Sequence, residues 1–150
     1  MPSAWTQNYY HTVFSTKNRS ELITPQLEER LHPYMGGVLR DLGCTPLAIN
    51  GTMDHVHLLA RYPSDLSHSD MLRHVKSRSS KWVHETYPEH RSFGWQEGYG
   101  GFTVSKSVRD AAVSYIARQK EHHKKQDFKS EFLELLRLHD VEFDEAEVFK

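Results

Sequence analysis

The segment Asn50-Gly51-Thr52-Met53-Asp54-His55-Val56-His57-Leu58-Leu59-Ala60 constrains the fold more than any other, because it reads as a turn feeding a strand whose two faces differ in chemistry. Side chains alternate along a strand, so His55 and His57 share one face with alpha carbons about 7 Å apart. Val56, Leu58 and Ala60 take the opposite face and need a core to pack against. The chain must therefore build a sheet with one apolar side and one side that carries paired imidazoles. Two neutral imidazoles in fixed register are a candidate pair of metal ligands, although a His-x-His pair on a strand is more often an incidental polar face.

The flanking segments supply the rest of such a sheet. Tyr9 to Thr16 is rich in aromatic and β-branched residues and reads as a first strand. Pro25 suits the first turn of a helix, and Leu27, Leu31, Tyr34, Met35, Val38, Leu39 and Leu42 recur at three- and four-residue spacing until Gly43 offers a stop. Pro46 to Asn50 reads as a second strand, with Asn50-Gly51 as the hairpin turn into the histidine strand, which ends near Pro63. A second helix is expected from Ser69 to Thr86, with Met71, Val75, Trp82 and Val83 as its apolar stripe. Arg73, Lys76, Arg78 and Lys81 crowd its remaining surface with no acid between Asp70 and Glu85. A solvated face and a phosphate-contacting face both fit that pattern.

Beyond it, Phe93 to Val104 is strand-like and interrupted by glycines, which mark bulges or close backbone approach. Ser107 and Asp110 fit a capping box that opens a helix through Ala111, Ala112, Tyr115 and Ile116 towards His122. Tyr115 and Gln119 are four residues apart on it and share a face, although on spacing alone such a pair is more often a core contact and a solvent residue than a site. His122 and His123 point about 100° apart on a helix, which disfavours both as ligands of one ion. With Lys120, Lys124 and Lys125 they form a candidate DNA-facing basic cluster. Phe128 to Leu138 is apolar at helical spacing and should dock on the domain.

Composition removes several classes. A chain of 150 residues supports one domain and is short for two, so a single domain over 1–150 is expected, with 140–150 as an acidic C-terminal tail. The single Cys44 excludes an internal disulfide and a Cys-rich zinc module. No apolar run approaches the roughly 20 residues of a membrane span, and Met1 to Tyr10 lacks the pattern of a signal peptide, so a cytoplasmic protein is expected. The net charge of -1 conceals an uneven distribution, since Asp140, Glu142, Asp144, Glu145 and Glu147 all lie in the tail. Without those five acids and Lys150 the chain has 18 basic against 15 acidic residues. That balance is only mildly basic, and any attraction to nucleic acid must come from local clusters.

In order, the chain offers an Asp-His-Val-His-Leu-Leu strand, a basic helix with Trp82, a Tyr-Gly-Gly-Phe strand and a helix with Tyr-x-x-x-Gln followed by His122-His123. From about Asn8 to Leu138 this order resembles the single-tyrosine transposases of the HUH superfamily, the small transposases of simple bacterial insertion sequences and their repeat-associated relatives. The resemblance implies an α+β fold of ferredoxin-like or RRM-like type, with an antiparallel sheet and helices mainly on one face. It implies His55, His57 and Gln119 as ligands of a divalent metal, and Tyr115 as the nucleophile. It also implies a homodimer whose active sites combine the histidine strand of one subunit with the tyrosine helix of the other. The substrate it implies is single-stranded DNA, cut at hairpin-forming ends through a covalent 5′-phosphotyrosine.

The residue types suit that chemistry. Rejoining DNA without an external energy source requires the phosphodiester to be held as a covalent ester, and a phenolate can both attack and leave. A phenol of pKa about 10 needs proton removal or a polarised target at neutral pH. Imidazole nitrogens with an amide oxygen are compatible with Mg2+ or Mn2+, softness favouring Mn2+ and cellular abundance favouring Mg2+. Two other readings stay open from the sequence: a nucleic-acid-binding protein with a structural tyrosine, and a metal-dependent phosphodiesterase that activates water.

Overall fold

A computed structural model describes residues 4–150. Its elements are β1 (Asn8–Ser15), α1 (Pro25–Asp41), β2 (Thr45–Gly51), β3 (His55–Tyr62), α2 (His68–Thr86), β4 (Gly100–Val104), α3 (Arg109–Ala117), α4 (Gln119–His122), α5 (Phe128–Leu138) and α6 (Glu145–Val148). The strands form one antiparallel sheet in the order β2-β3-β1-β4. With the βαββαβ element order, this is the ferredoxin-like arrangement expected from the sequence. Among the described residues, no helix is long and apolar enough to cross a membrane.

Local chemistry sets the boundaries. Thr24 caps α1 by accepting from the Leu27 amide at 3.2 Å, Pro25 opens the helix, and Gly43 takes φ +87° just past its end. Ser67 caps α2 through the Asp70 amide at 3.1 Å. Leu27, Leu31, Met35 and Leu39 of α1 and Met71, Leu72 and Val75 of α2 pack with Phe14, Val56, Leu58 and Ala60 on one face of the sheet. Tyr34 and Trp82 stack across the two helices at 4.7 Å between centroids.

The opposite face is also covered, which differs from helices lying mainly on one side. Val13 and Phe102 pack under Phe128, Phe132, Leu135 and Leu136 of α5, while Tyr9, Leu59 and Val104 pack under Ile116 of α3. Apolar residues at both alternating positions of β1 and β3 require this second layer. The acidic tail joins it: Phe143, Val148 and Phe149 lie against the α5 cluster, and Arg19 donates to the Phe149 carbonyl at 3.2 Å.

Three local expectations give way. Asn50-Gly51 is not the hairpin turn, because β2 continues through Gly51, which pairs with Val56, and the reversal falls on Thr52 to Asp54. A Cβ at Gly51 would meet the His55 carbonyl oxygen and stand 3.0 Å from Val56 Cα, so close backbone approach is what requires glycine there. Gly51→Ala is expected to cost about 1–3 kcal/mol of stability, read from the urea midpoint, and to displace His55. Ser107 does not cap the tyrosine helix; its hydroxyl pairs with Ser105 at 2.9 Å, and α3 begins at Arg109 after a short 3-10 turn. Only Gly100–Val104 of the glycine-rich run is a strand; Trp95 makes an isolated antiparallel bridge to Thr16, and its indole donates to Ser79 Oγ at 2.9 Å.

Candidate metal and nucleophile site

His55 and His57 emerge on the sheet face covered by α3 and α5, and both are fully buried. Register places His57 opposite Val13 and His55 opposite Ser15, so β1 brings His11 to the same face beside His57. His55 Nδ1 lies 2.7 Å from Asp54 Oδ1; the carboxylate only accepts, so Nδ1 donates and Nε2 faces inward. His57 Nδ1 lies 2.7 Å from His11 Nε2, with the two rings stacked at 5.0 Å. Both outer nitrogens are thereby committed, an arrangement that fixes tautomer and ring orientation in metal-ligating histidines.

Asn50 Nδ2 donates to the Ile116 carbonyl at 2.9 Å and that of Ala117 at 3.2 Å, which ties the end of α3 to β2. The helix breaks at Arg118 (φ -97°, ψ 17°) and restarts as α4, so Tyr115 and Gln119 do not share one continuous helix. They still converge, because both reach Glu131 on α5: the Tyr115 hydroxyl and, at 3.0 Å, Gln119 Nε2 donate to its Oε2. Gln119 Oε1 stands 3.2 Å from His55 Nε2. The other carboxylate oxygen of Glu131 is 3.1 Å from His57 Nε2, 3.4 Å from His55 Nε2 and 2.8 Å from His123 Nε2.

Burial opposes charge throughout this pocket. It pushes His57 down to about 4 and His11 down to about 3, so both are neutral imidazoles at pH 7. Burial also works against the charge on His55, but the Asp54 and Glu131 carboxylates outweigh it and hold that pKa up at about 9. Burial would raise Glu131, yet hydrogen bonds from His123, His55 and His57 hold it far below the usual carboxylate range. Tyr115 is raised by burial and by its bond to Glu131, and rests as a phenol.

The donor atoms of His55, His57, His123 and Glu131 lie within 4.8 Å of one another. Two inward imidazole nitrogens, a buried carboxylate and a nearby amide oxygen fit a divalent ion in both chemistry and spacing. Beside them opens a cleft of about 410 Å³ lined by Tyr115, Arg118, Glu121, His122, Lys125 and Gln126. His122 Nε2 has no hydrogen-bond partner and stands 3.6 Å from Glu131 Oε2.

The sequence-derived residues thus divide. His55, His57, Tyr115 and Gln119 come together, and Lys125 borders the tyrosine cleft. Lys120 pairs with Glu28 at 2.9 Å and Lys124 with Glu121 at 3.1 Å, both at the rim of a groove that also contains His123. Arg73, Lys76, Arg78 and Lys81 sit on α2, across the sheet from the histidines. There Arg73 lies 3.5 Å from Asp70, Arg78 2.9 Å from Asp41 and Lys81 3.9 Å from Glu85, while Lys76 donates to the Gln96 and Gly98 carbonyls at 2.8 Å each. Glu131, His123 and His11 were not assigned to the site from sequence. Glu131 carried a signal, being an acid on the apolar face of a helix three residues after Phe128 and four before Leu135.

The family model described as "Transposase IS200 like" matches residues 4–119. A candidate transposase from Deinococcus radiodurans R1 has a similar solved structure, with TM-score 0.64, 21% identity, and coverage of 79% of this chain and 95% of that one. A REP-associated tyrosine transposase, solved bound to a REP hairpin, gives TM-score 0.60 at 19% identity, covering 82% of this chain and 73% of that one. At these identities the structural likeness is one of fold. No curated protein matches the chain.

Proposed function

This chain belongs to the IS200-like family of tyrosine transposases, and from that premise we propose that it cuts and rejoins single-stranded DNA through Tyr115. The observation that carries the reading is that the Tyr115 hydroxyl and the inward nitrogen of His57 meet the two oxygens of one carboxylate, Glu131. In the proposed step the Tyr115 oxygen attacks a DNA phosphorus, the bond to the 3′ oxygen breaks, and a 5′-phosphotyrosine and a free 3′ hydroxyl result. Attack by that hydroxyl reverses the step and reseals the strand.

Glu131 Oε2 accepts a hydrogen bond from the phenol and orients the hydroxyl before attack, and the phenolic proton ends on the departing 3′ oxygen. Arg118 and Lys125, on the rim of the tyrosine cleft, suit the phosphates on either side of the cut. His55, His57 and Gln119 would hold Mg2+ or Mn2+, which when bound withdraws charge from a scissile phosphate oxygen. The proposed substrate is a hairpin-forming end, the class of DNA carried by the REP-bound relative. The whole chain acts as one domain in this reading, since α5 supplies Glu131.

The test is a denaturing gel of purified protein with labelled single-stranded DNA from the flanks of its own gene, with Mn2+ or with chelator. A protein-DNA adduct that requires the metal is expected. Released product without an adduct would replace this reading with a water-activating phosphodiesterase, and binding without cleavage would replace it with a binding module. We further propose that one chain suffices for each site, because the Tyr115 ring lies 5.9 Å from that of His57 in the same chain. Mixing a His55→Ala chain with a Tyr115→Phe chain should then recover no cleavage, whereas recovery would establish the shared dimeric site that the family resemblance implies.

A further inference from the structure

The region matched to the family ends at Gln119, yet two of the four side chains that converge in the pocket, His123 and Glu131, lie beyond it. We propose that His123 and Glu131 are metal ligands in this chain, closing His55 and His57 into a shell of three imidazoles and one carboxylate that selects a transition-metal dication such as Mn2+ over Mg2+. This rests on the reading above that the pocket holds the metal.

Spacing supports the assignment. Glu131 Oε1 lies 2.8, 3.1 and 3.4 Å from the Nε2 atoms of His123, His57 and His55. Ligands bound at about 2.0–2.2 Å stand about 3.0 Å apart across an octahedral edge and about 3.4 Å apart across a tetrahedral one. Hydrogen bonding leaves the same atoms available. Asp54 and His11 occupy the Nδ1 atoms of His55 and His57, and Tyr115 and Gln119 occupy Glu131 Oε2, so the two Nε2 atoms and Oε1, which face one another, are what an ion would bind on displacing the protons between them.

The setting of Glu131 argues against a merely structural acid. It is 1% exposed on a helix face otherwise made by Phe128, Phe132, Leu135 and Leu136, where an aliphatic side chain would pack without the desolvation cost of a carboxylate. Hydrogen bonds from the surrounding histidines, Tyr115 and Gln119 offset that cost here, and a cation at its inner oxygen would take over the part the histidines play. Gln119, with Nε2 on Glu131 and Oε1 3.2 Å from His55 Nε2, stays at the edge of the same shell. Mg2+ prefers oxygen ligands and retains water, whereas imidazole nitrogens favour first-row transition metals. The carboxylate that binds the ion would also hold the nucleophile, so metal loading and tyrosine orientation depend on one side chain.

Titration calorimetry of the full chain with MnCl2 and MgCl2 tests this. Mn2+ is expected to bind at least about 100-fold more tightly than Mg2+. Glu131→Gln and His123→Ala are each expected to weaken Mn2+ binding by more than about 100-fold, beyond the 10- to 100-fold typical of a residue that only steadies a ligand. Mn2+ affinity within a few-fold of the parent in either variant would overturn the assignment of that residue. If Glu131→Gln does not fold, Glu131→Asp keeps the buried charge, shortens its reach and carries the same expectation. Pulsed EPR of the Mn2+-loaded parent chain needs no variant: three directly coordinated imidazole nitrogens are expected, and two would remove His123. Tight Mn2+ binding without a DNA adduct would defeat the proposed reaction but leave the ligand set standing. An adduct in the parent, with unchanged Mn2+ affinity in Glu131→Gln, would do the reverse.

Discussion

Tyr115→Phe should abolish the covalent protein-DNA adduct, lowering its rate of formation by at least about 10⁴-fold, which corresponds to about 5.5 kcal/mol of transition-state stabilisation. The effect is large because the substitution removes the only atom proposed to bond to phosphorus. The damage to the fold should be small. The ring remains between His11 and His57, at 6.1 and 5.9 Å from their centroids, and only the hydroxyl on Glu131 is lost. A hydrogen bond to a charged acceptor contributes about 1.5–3 kcal/mol, so the variant should melt slightly earlier and remain folded. A denaturing gel and a thermal melt on the same preparation separate the two effects. Undiminished strand cleavage by a folded Tyr115→Phe chain would exclude the phosphotyrosine mechanism.

The second large effect is expected at His57. This ring is fully buried and presents one nitrogen to His11 and the other to Glu131. His57→Ala removes a proposed ligand and the group that His11 steadies, and adduct formation should fall by about 10³-fold. The parent chain should also gain thermal stability from Mn2+, as any protein does from a ligand bound only by its folded state, and His57→Ala should lose that gain. His11→Asn, which disturbs only the hydrogen bond to the far nitrogen of His57, should weaken Mn2+ binding by about 10- to 100-fold, the usual range for a residue that steadies a metal-bound imidazole. Melting curves with Mn2+ and with chelator check both variants. A His57→Ala chain that Mn2+ still stabilises fully would place the ion elsewhere.

Much of this is legible in the sequence, for reasons that differ by residue. The strand through His55 and His57 is marked by alternation, and α1 by its apolar period and caps, because both signals are local. The facing of Tyr115 and Gln119 was also expected, though its route was not: the helix between them breaks at Arg118, and a shared carboxylate brings them together. Both histidines of the adjacent pair approach Glu131, His123 at 2.8 Å from one carboxylate oxygen and His122 at 3.6 Å from the other, with His122 bordering the cleft. Which of the two comes closer depends on where α5 lies, and no local pattern records that. Glu131 was obscured by its own helix, whose apolar period explains Phe128 to Leu138 without reference to the acid. His11 was hidden because its role depends on the register between β1 and β3. The basic run of α2 was visible in the sequence, whereas its acidic neighbour Asp41 comes from another element.

The contacts of His55 with Gln119 and of His57 with Glu131 span 64 and 74 residues of chain. Contacts of such high sequence separation bear the full cost of loop closure and tend to form late in folding. The pocket therefore exists only after the sheet is paired and α5 has docked, so an ion held there would not template the collapsing chain. Its influence falls on the return journey: a bound ion should slow unfolding while leaving the folding rate nearly unchanged, which makes it a guardian of the finished molecule's lifetime.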